Sequence, residues 1–164
     1  IYLKRASDTA KLILKENVNG DKLELQESNF FREALYGYFE GMGSPEAWFL
    51  AGMPHGYKTK NDLIAHENYD TAKDYMKEAD PFHDAENAVE YWERIDQGFN
   101  IIKALPDSVE NILLVTHSNT ISSVVERYSN GEFNVAKGAR NSSITMMENE
   151  GSNFRVTSFD KLTL

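Results

Sequence analysis

The chain has no cysteine among its 164 residues. That excludes a disulfide scaffold, a thiol nucleophile and a thiolate metal site, and it fits a reducing cytoplasm, where the protein is expected to work. No apolar run approaches the ~20 residues of a membrane-spanning helix, so no membrane partner is expected. Basic residues are scarce: 17 Lys and Arg stand against 26 Asp and Glu, a formal net charge of −9. A field of that sign repels nucleic acid and anionic membrane surfaces, and an anionic small substrate needs a local basic pocket within it. Repeats, low-complexity tracts and domain-splitting linkers are also missing. Residues 1–164 are therefore expected to form one domain with a sizeable core.

The elements that are present alternate in type. Leu3, Ala6, Ala10, Ile13 and Leu14 recur at helical spacing and predict an amphipathic helix over 3–17, ended by Asn19-Gly20. The alternating KLELQE at 22–27 predicts a short strand. The aromatic, glycine-punctuated stretch 29–56 predicts ordered loop and short helix, and the charged segment 58–81 a surface insertion of one or two helices. Together, 42–82 are expected to form a lid or insertion. Val89, Trp92, Ile95, Phe99 and Ile102 form the apolar stripe of a long helix over 84–105, with Asp84 as its cap and Pro106 just beyond its end. Ile112 to Val115 predict a strand buried on both faces. Ile121, Val124, Val125 and Tyr128 predict a helix after it, and SSITMMENEGSNFRVTSF two strands about a Glu-Gly turn. Strands separated by helices imply an α/β fold, a mostly parallel sheet with helices on both faces and a helical insertion.

Ligands in such sheets bind at the carboxyl ends of strands, which is where His117 falls, in the turn from Thr116 to Asn119. A histidine there can be a partly buried polar residue satisfied by a backbone carbonyl. The alternative is an anion site, because a helix start places free N–H groups beside the imidazole. Two other stretches supply complementary chemistry. LKRA (3–6) places Lys4 and Arg5 at a helix start, and FREALYGYFEG (31–41) places Glu33 in a loop. A cation, a carboxylic acid and an imidazole beside helix amides are the parts that phosphoryl transfer through a protein nucleophile uses. Arg5 would clamp equatorial oxygens with its planar fork, and His117 would stabilise the charge that develops on the phosphoryl group. Glu33, if burial raises its pKa, could protonate the leaving alkoxide and later activate water. The plainer alternative for Glu33 is a solvated carboxylate.

Four segments in order resemble the histidine phosphatase superfamily, which includes the cofactor-dependent phosphoglycerate mutases and many small phosphomonoesterases. LKRASDTAKLI is similar to the family's L-x-R-A-x-x-T-A helix and FREALYGYFEG to its L-R-E-x-x-F-G-x-x-E-G loop. LLVTHSNTI is similar to its V-x-H-G-x-x-I turn, and NSSITMMENE to its closing N-x-S-I-T strand. The resemblance covers most of the chain. It implies that Arg5 binds phosphate, that Glu33 is the proton donor and that His117 is the second histidine of the pocket. Ser118 stands where the family usually has Gly and is expected to offer its backbone amide to phosphate, with Asn119 and Asn141 as pocket neighbours. No metal and no cofactor are implied, since cationic side chains neutralise the phosphoryl group.

The sequence departs from the family at one point. The family's nucleophile is a histidine in an R-H-G motif that ends the first strand, and R-H-G occurs nowhere in this chain. His55, His66 and His83 lie in the insertion or at its exit and are expected to be surface or lid residues. A parallel sheet without its central strand leaves two unpaired edges facing each other, so the nucleophile strand is expected in an N-terminal segment outside these residues. The expected activity is that of a phosphomonoesterase acting through a phosphohistidine on a small phosphorylated metabolite. Phosphoglycerate mutase-type transfer is the second expectation, and a non-catalytic module that binds a phosphorylated ligand the third. Trp48, Phe49 and Tyr57 are expected to form either a lid or an interface in a homo-oligomer.

Overall fold

Helix starts in this chain are marked by side chains that take up otherwise orphaned backbone N–H groups. In the computed structural model, which describes residues 4–151 and 153–163, Thr59 accepts from the N–H of Asp62 and Asn68 from that of Thr71. Helices α1 (Arg5–Glu16), α2 (Ser44–Gly52), α3 (Lys60–His66), α4 (Tyr69–Ala79), α5 (Ala88–Lys103) and α6 (Ser118–Tyr128) precede strands β1 (Ile144–Glu150) and β2 (Asn153–Lys161). Single 3-10 turns stand at Gly20–Lys22, Gly37–Phe39 and Met53–His55. Leu3, the first member of the expected helical stripe, lies outside the described residues. Among those residues no helix is long and apolar enough to cross a membrane.

The long helix is present, but its cap is Asn87 rather than Asp84. The Asn87 side chain accepts from the Glu90 N–H at 2.9 Å while the Glu90 carboxylate accepts from the Asn87 N–H at 3.0 Å. This reciprocal box satisfies two donors at once. Asp84 instead belongs to the preceding turn, where its own N–H donates to the Asp80 carboxylate. Starting the helix at Ala88 leaves Val89 in the first turn and 66% exposed, while Tyr91, Ile95 and Phe99 are buried.

Segment 58–81 forms the two helices α3 and α4, and they are not a surface layer. Leu63, Ile64, Tyr69, Ala72 and Met76 join Phe39, Trp48, Val125 and Val156 in the main core. Helix α3, at 7 residues, is too short to display its apolar face over several turns, and the charged residues of α4 mask its own. A second cluster, Phe31, Tyr91, Ile95, Phe99 and Phe154, packs α5 against the loop that precedes Ala34. Phe31 and Phe99 meet edge to face with ring centroids 5.4 Å apart.

The closing hairpin forms as expected. β1 and β2 pair antiparallel, with Met147 opposite Val156 and Asn149 opposite Phe154, and Gly151 adopts φ +79° in the turn. Helices together with this sheet make an α/β chain, and its two strands leave the expectation of a mostly parallel sheet unconfirmed. Among the described residues the hydrogen-bonded sheet consists of these two antiparallel strands. Segments 22–27 and 112–115 form no ladder, and Ile112, Leu113 and Leu114 are 48%, 70% and 41% exposed rather than buried on both faces. An apolar run becomes a strand only when a neighbour takes up its N–H and C=O groups, and neither segment has one here.

Candidate active site

The loop that carries Glu33 is held by an arginine pair. The Glu86 carboxylate accepts from Arg32 at 3.0 and 2.7 Å, from Arg94 at 2.8 and 2.7 Å, and from the Leu35 N–H at 3.0 Å. Arg94 also donates to the carbonyl oxygen of Phe30 at 2.6 Å. Burial opposes ionisation of Glu86, but the hydrogen bonds from Arg94 and Arg32 prevail and bring its carboxyl down to about 2. Both arginines thereby tie residues 30–35 to the start of α5. Thr116 adds a hydrogen bond from its hydroxyl to the Phe31 carbonyl oxygen, fastening the same loop to the segment that leads into α6.

Glu33 is buried against the first turn of α6. Its Oε1 accepts from the Ala34 N–H at 3.2 Å and from the Thr120 hydroxyl at 3.1 Å, and its Oε2 from the Asn119 N–H at 3.4 Å. These donors favour the carboxylate, as does the positive end of the helix. Burial outweighs them, so the pKa of Glu33 is raised. The solvated-carboxylate alternative is therefore overturned, since three donors and the core surround the group.

His117 caps α6 with an extended backbone (φ −114°, ψ 156°) and is 6% exposed. Burial and, behind it, the charge of Arg5 hold its pKa below the ordinary value, so it is a neutral imidazole at pH 7. Arg5 is the first residue of α1 and is exposed, close enough for its charge to act on His117. Lys4 pairs with Asp8 at 3.7 Å on the exposed face of the same helix. Ser118 lies in the first turn of α6, where N–H groups lack intrahelical acceptors, and its hydroxyl donates to the Ala139 carbonyl oxygen at 2.6 Å. Asn119 accepts from the Lys60 ammonium through Oδ1 and donates through Nδ2 to the Tyr36 hydroxyl.

Glu33, Ser118, Asn119 and His117 thus meet at one helix start, with Arg5 near enough for its charge to act on the histidine. Asn141 is exposed in the turn before β1 and takes no part in the hydrogen bonds that join Glu33, Thr120 and Asn119. The other histidines lie elsewhere. His55 stacks on Tyr75 with centroids 3.5 Å apart and pairs with Glu78 at 3.3 Å. His66 pairs with Asp62 at 3.4 Å, and His83 contacts the Lys77 carbonyl oxygen. A groove lined by Ala6, Ala10, Leu25, Phe31 and Leu113 runs to His117. Sequence reasoning overlooked three members of the group. Thr120 stands in the quoted VTHSNT turn and could have been found there, Tyr36 sits three residues after Glu33 in the quoted loop, and Lys60 carried no signal within a charged segment.

A match to the histidine phosphatase superfamily (branch 1) runs over residues 2–161. The crystal structure of a phosphoglycerate mutase from Bacillus anthracis str. Sterne is similar to this chain with a TM-score of 0.83 and 25% sequence identity, covering 96% of this chain and 69% of that one. No curated protein matches the chain. Agreement of sequence pattern and fold over nearly the whole length settles the family: this chain belongs to the histidine phosphatase superfamily.

Proposed function

We propose that this protein is a phosphomonoesterase acting through a phosphohistidine on a small phosphorylated metabolite. The observation that carries the reading is Glu33, a carboxylic acid made more basic by burial and hydrogen-bonded to the first turn of the helix that His117 caps. General acid–base work at near-neutral pH needs a carboxyl shifted in this direction. In the first step a histidine nitrogen attacks phosphorus in line with the leaving oxygen. The N–P bond forms, the P–O bond breaks, and protonated Glu33 gives its proton to the leaving alkoxide. In the second step the Glu33 carboxylate takes a proton from water as the water oxygen attacks phosphorus, and the N–P bond breaks. Arg5 binds equatorial oxygens, the Ser118 N–H and Asn119 add donors, and the neutral His117 donates from its ring N–H to the oxygen on which charge develops.

The nucleophile in this reading is a histidine outside residues 1–164, on a strand seated in the groove beside His117. Two features support that placement: His55, His66 and His83 are engaged away from the pocket, and the apolar segment 112–115 has no strand partner among the described residues. The site works in a cytoplasmic enzyme without metal, because Arg5 and the helix amides supply the positive potential. A second reading, return of the phosphoryl group to a substrate hydroxyl instead of water, is favoured by the likeness to a phosphoglycerate mutase.

The test is to incubate the full natural protein with radiolabelled phosphomonoesters and follow both acid-labile label on the protein and release of inorganic phosphate. Labelled protein together with phosphate release is the expected result. Label passed to a phosphoglycerate faster than to water would make it a mutase. Tight binding of the esters without labelling would reduce it to a phosphate-ligand module.

A further inference from the structure

Lys60 is a half-buried lysine that the mechanism above does not use. It follows the capping residue Thr59 at the start of α3, and its ammonium lies 5.6 Å from the centroid of the Trp48 ring and 5.1 Å from that of Tyr69. Aromatic faces return part of the hydration that such a cation loses. Its hydrogen-bond acceptor is a neutral amide, the Oδ1 of Asn119, rather than a carboxylate. The backbone N–H of the same asparagine donates to Glu33 Oε2 at 3.4 Å, and its Nδ2 donates to the Tyr36 hydroxyl. One residue therefore joins the ammonium of α3, 59 positions earlier in the chain, to the carboxyl of the Glu33 loop, 86 positions earlier.

We propose that Lys60 is a positioning residue for Glu33: its ammonium, held against α6 through Asn119, favours the ionised carboxylate and lowers the pH at which Glu33 gives up its proton. The other groups that face Glu33 do not serve this purpose. Tyr36 on its own loop, Tyr69 on α4 and Tyr91 on α5 have their hydroxyl pKa values pushed up by burial and stay neutral. Lys73 on α4 is buried, but its charge is countered by the Asp70 carboxylate at 3.1 Å and its remaining hydrogens go to Ser123 and the Tyr69 carbonyl oxygen. His117 at the start of α6 is uncharged at pH 7. Among the described residues, Lys60 is left as the cation whose field reaches Glu33 without a carboxylate bound to it. Burial lowers its own pKa to about 8 and the charge of Glu33 holds it up, so it is mostly protonated at pH 7. Without that charge, burial of Glu33 is less opposed and the carboxyl keeps its proton to higher pH.

The use of this proton in turnover rests on the function proposed above, but the electrostatic coupling does not. The experiment is a carbon-NMR titration of labelled glutamate carboxyls, with the Glu33 resonance assigned from Glu33→Gln. Lys60→Met is expected to raise the Glu33 midpoint by about one unit, a tenfold change in the protonation equilibrium, and Lys60→Arg to leave it near the wild-type value. In the unmodified protein the Glu33 resonance is expected to show a second inflection at about pH 8, from deprotonation of Lys60, which Lys60→Arg removes. This second readout requires no destabilising variant. An unshifted midpoint in folded Lys60→Met, or no second inflection in the wild type, overturns the proposal. No substrate enters the titration, so absence of phosphatase activity would overturn the functional reading alone.

Discussion

Arg94 holds Glu86 with two parallel hydrogen bonds, Nε to Oε1 at 2.8 Å and Nη2 to Oε2 at 2.7 Å, and through that carboxylate it holds the loop bearing Glu33. Paired forks of this kind add direction to attraction. The pair sits at the base of the loop that carries Glu33, and Arg32, the residue before Glu33, is the third partner. Local order at the proposed acid thus depends on a carboxylate more than fifty positions away in the chain.

Replacing Glu86 by Gln leaves two half-buried guanidinium groups without their countercharge at a buried position. A loss of about 3 kcal/mol is expected, at the low end for breaking a buried pair, and urea unfolding at pH 7 measures it. The pH dependence has a definite sign. Folding lowers the Glu86 pKa from 4.5 to about 2, so its contribution is present above about 4.5 and lost as the pH falls through 2. Stability curves between those values should be flatter for Glu86→Gln than for the wild type. Equal slopes would mean that the network does not support the fold.

Glu33→Gln is expected to lower phosphomonoester turnover by roughly a hundredfold to ten-thousandfold, the usual contribution of a general acid–base group. Its effect on stability runs the other way. A carboxyl whose folded pKa is raised contributes most below its unfolded value of 4.5 and loses that contribution as the pH rises through the folded value. The Gln variant should therefore be at least as stable as the wild type at pH 8 while losing activity. Thermal unfolding beside a steady-state assay tests both arms, and destabilisation at pH 8 would contradict the burial argument.

Gly98→Ala sets helix propensity against packing. In a helix interior the change ordinarily stabilises by about 1 kcal/mol. Here a Cβ would lie 2.6 Å from the Phe31 ring and 2.8 Å from the Phe30 Cβ, so the ring or the loop that carries Glu33 must move. A net loss of about 1–2 kcal/mol is expected from overpacking, together with reduced turnover, because Phe31 lies two residues before Glu33. A stabilised, fully active variant would show that the loop gives way at no cost.

Amide hydrogen exchange tests the proposed strand. In a protein consisting of these 164 residues, the amides of 112–115 should exchange nearly as fast as in an open chain. In the full natural protein they should slow by about a hundredfold or more if a strand pairs with them. Fast exchange in both would leave the groove beside His117 without its proposed occupant.

The helices and the hairpin were legible because their causes are local. Periodicity in α1, α5 and α6, alternation in β2 and the Gly151 turn each act over a few residues. The ordered motifs around Arg5, Glu33 and His117 identified the family for the same reason, since each is a short contiguous pattern. The cap of α5 was misread because Asp84 and Asn87 both satisfy the composition rule, and only the reciprocal bonds with Glu90 separate them.

What this sequence determined by itself is the helices, the closing hairpin and the family. Tertiary structure alone decided that Glu33 is buried against α6, that Glu86 and its arginines brace the loop, and that Lys60 reaches Asn119. Those contacts join residues about fifty to ninety positions apart, and no local pattern encodes which distant partner fills a given hydrogen bond. The segment 112–115 shows the same limit from the other side. Its apolar run is a local fact, but pairing and burial depend on a neighbouring strand, which the run itself cannot supply.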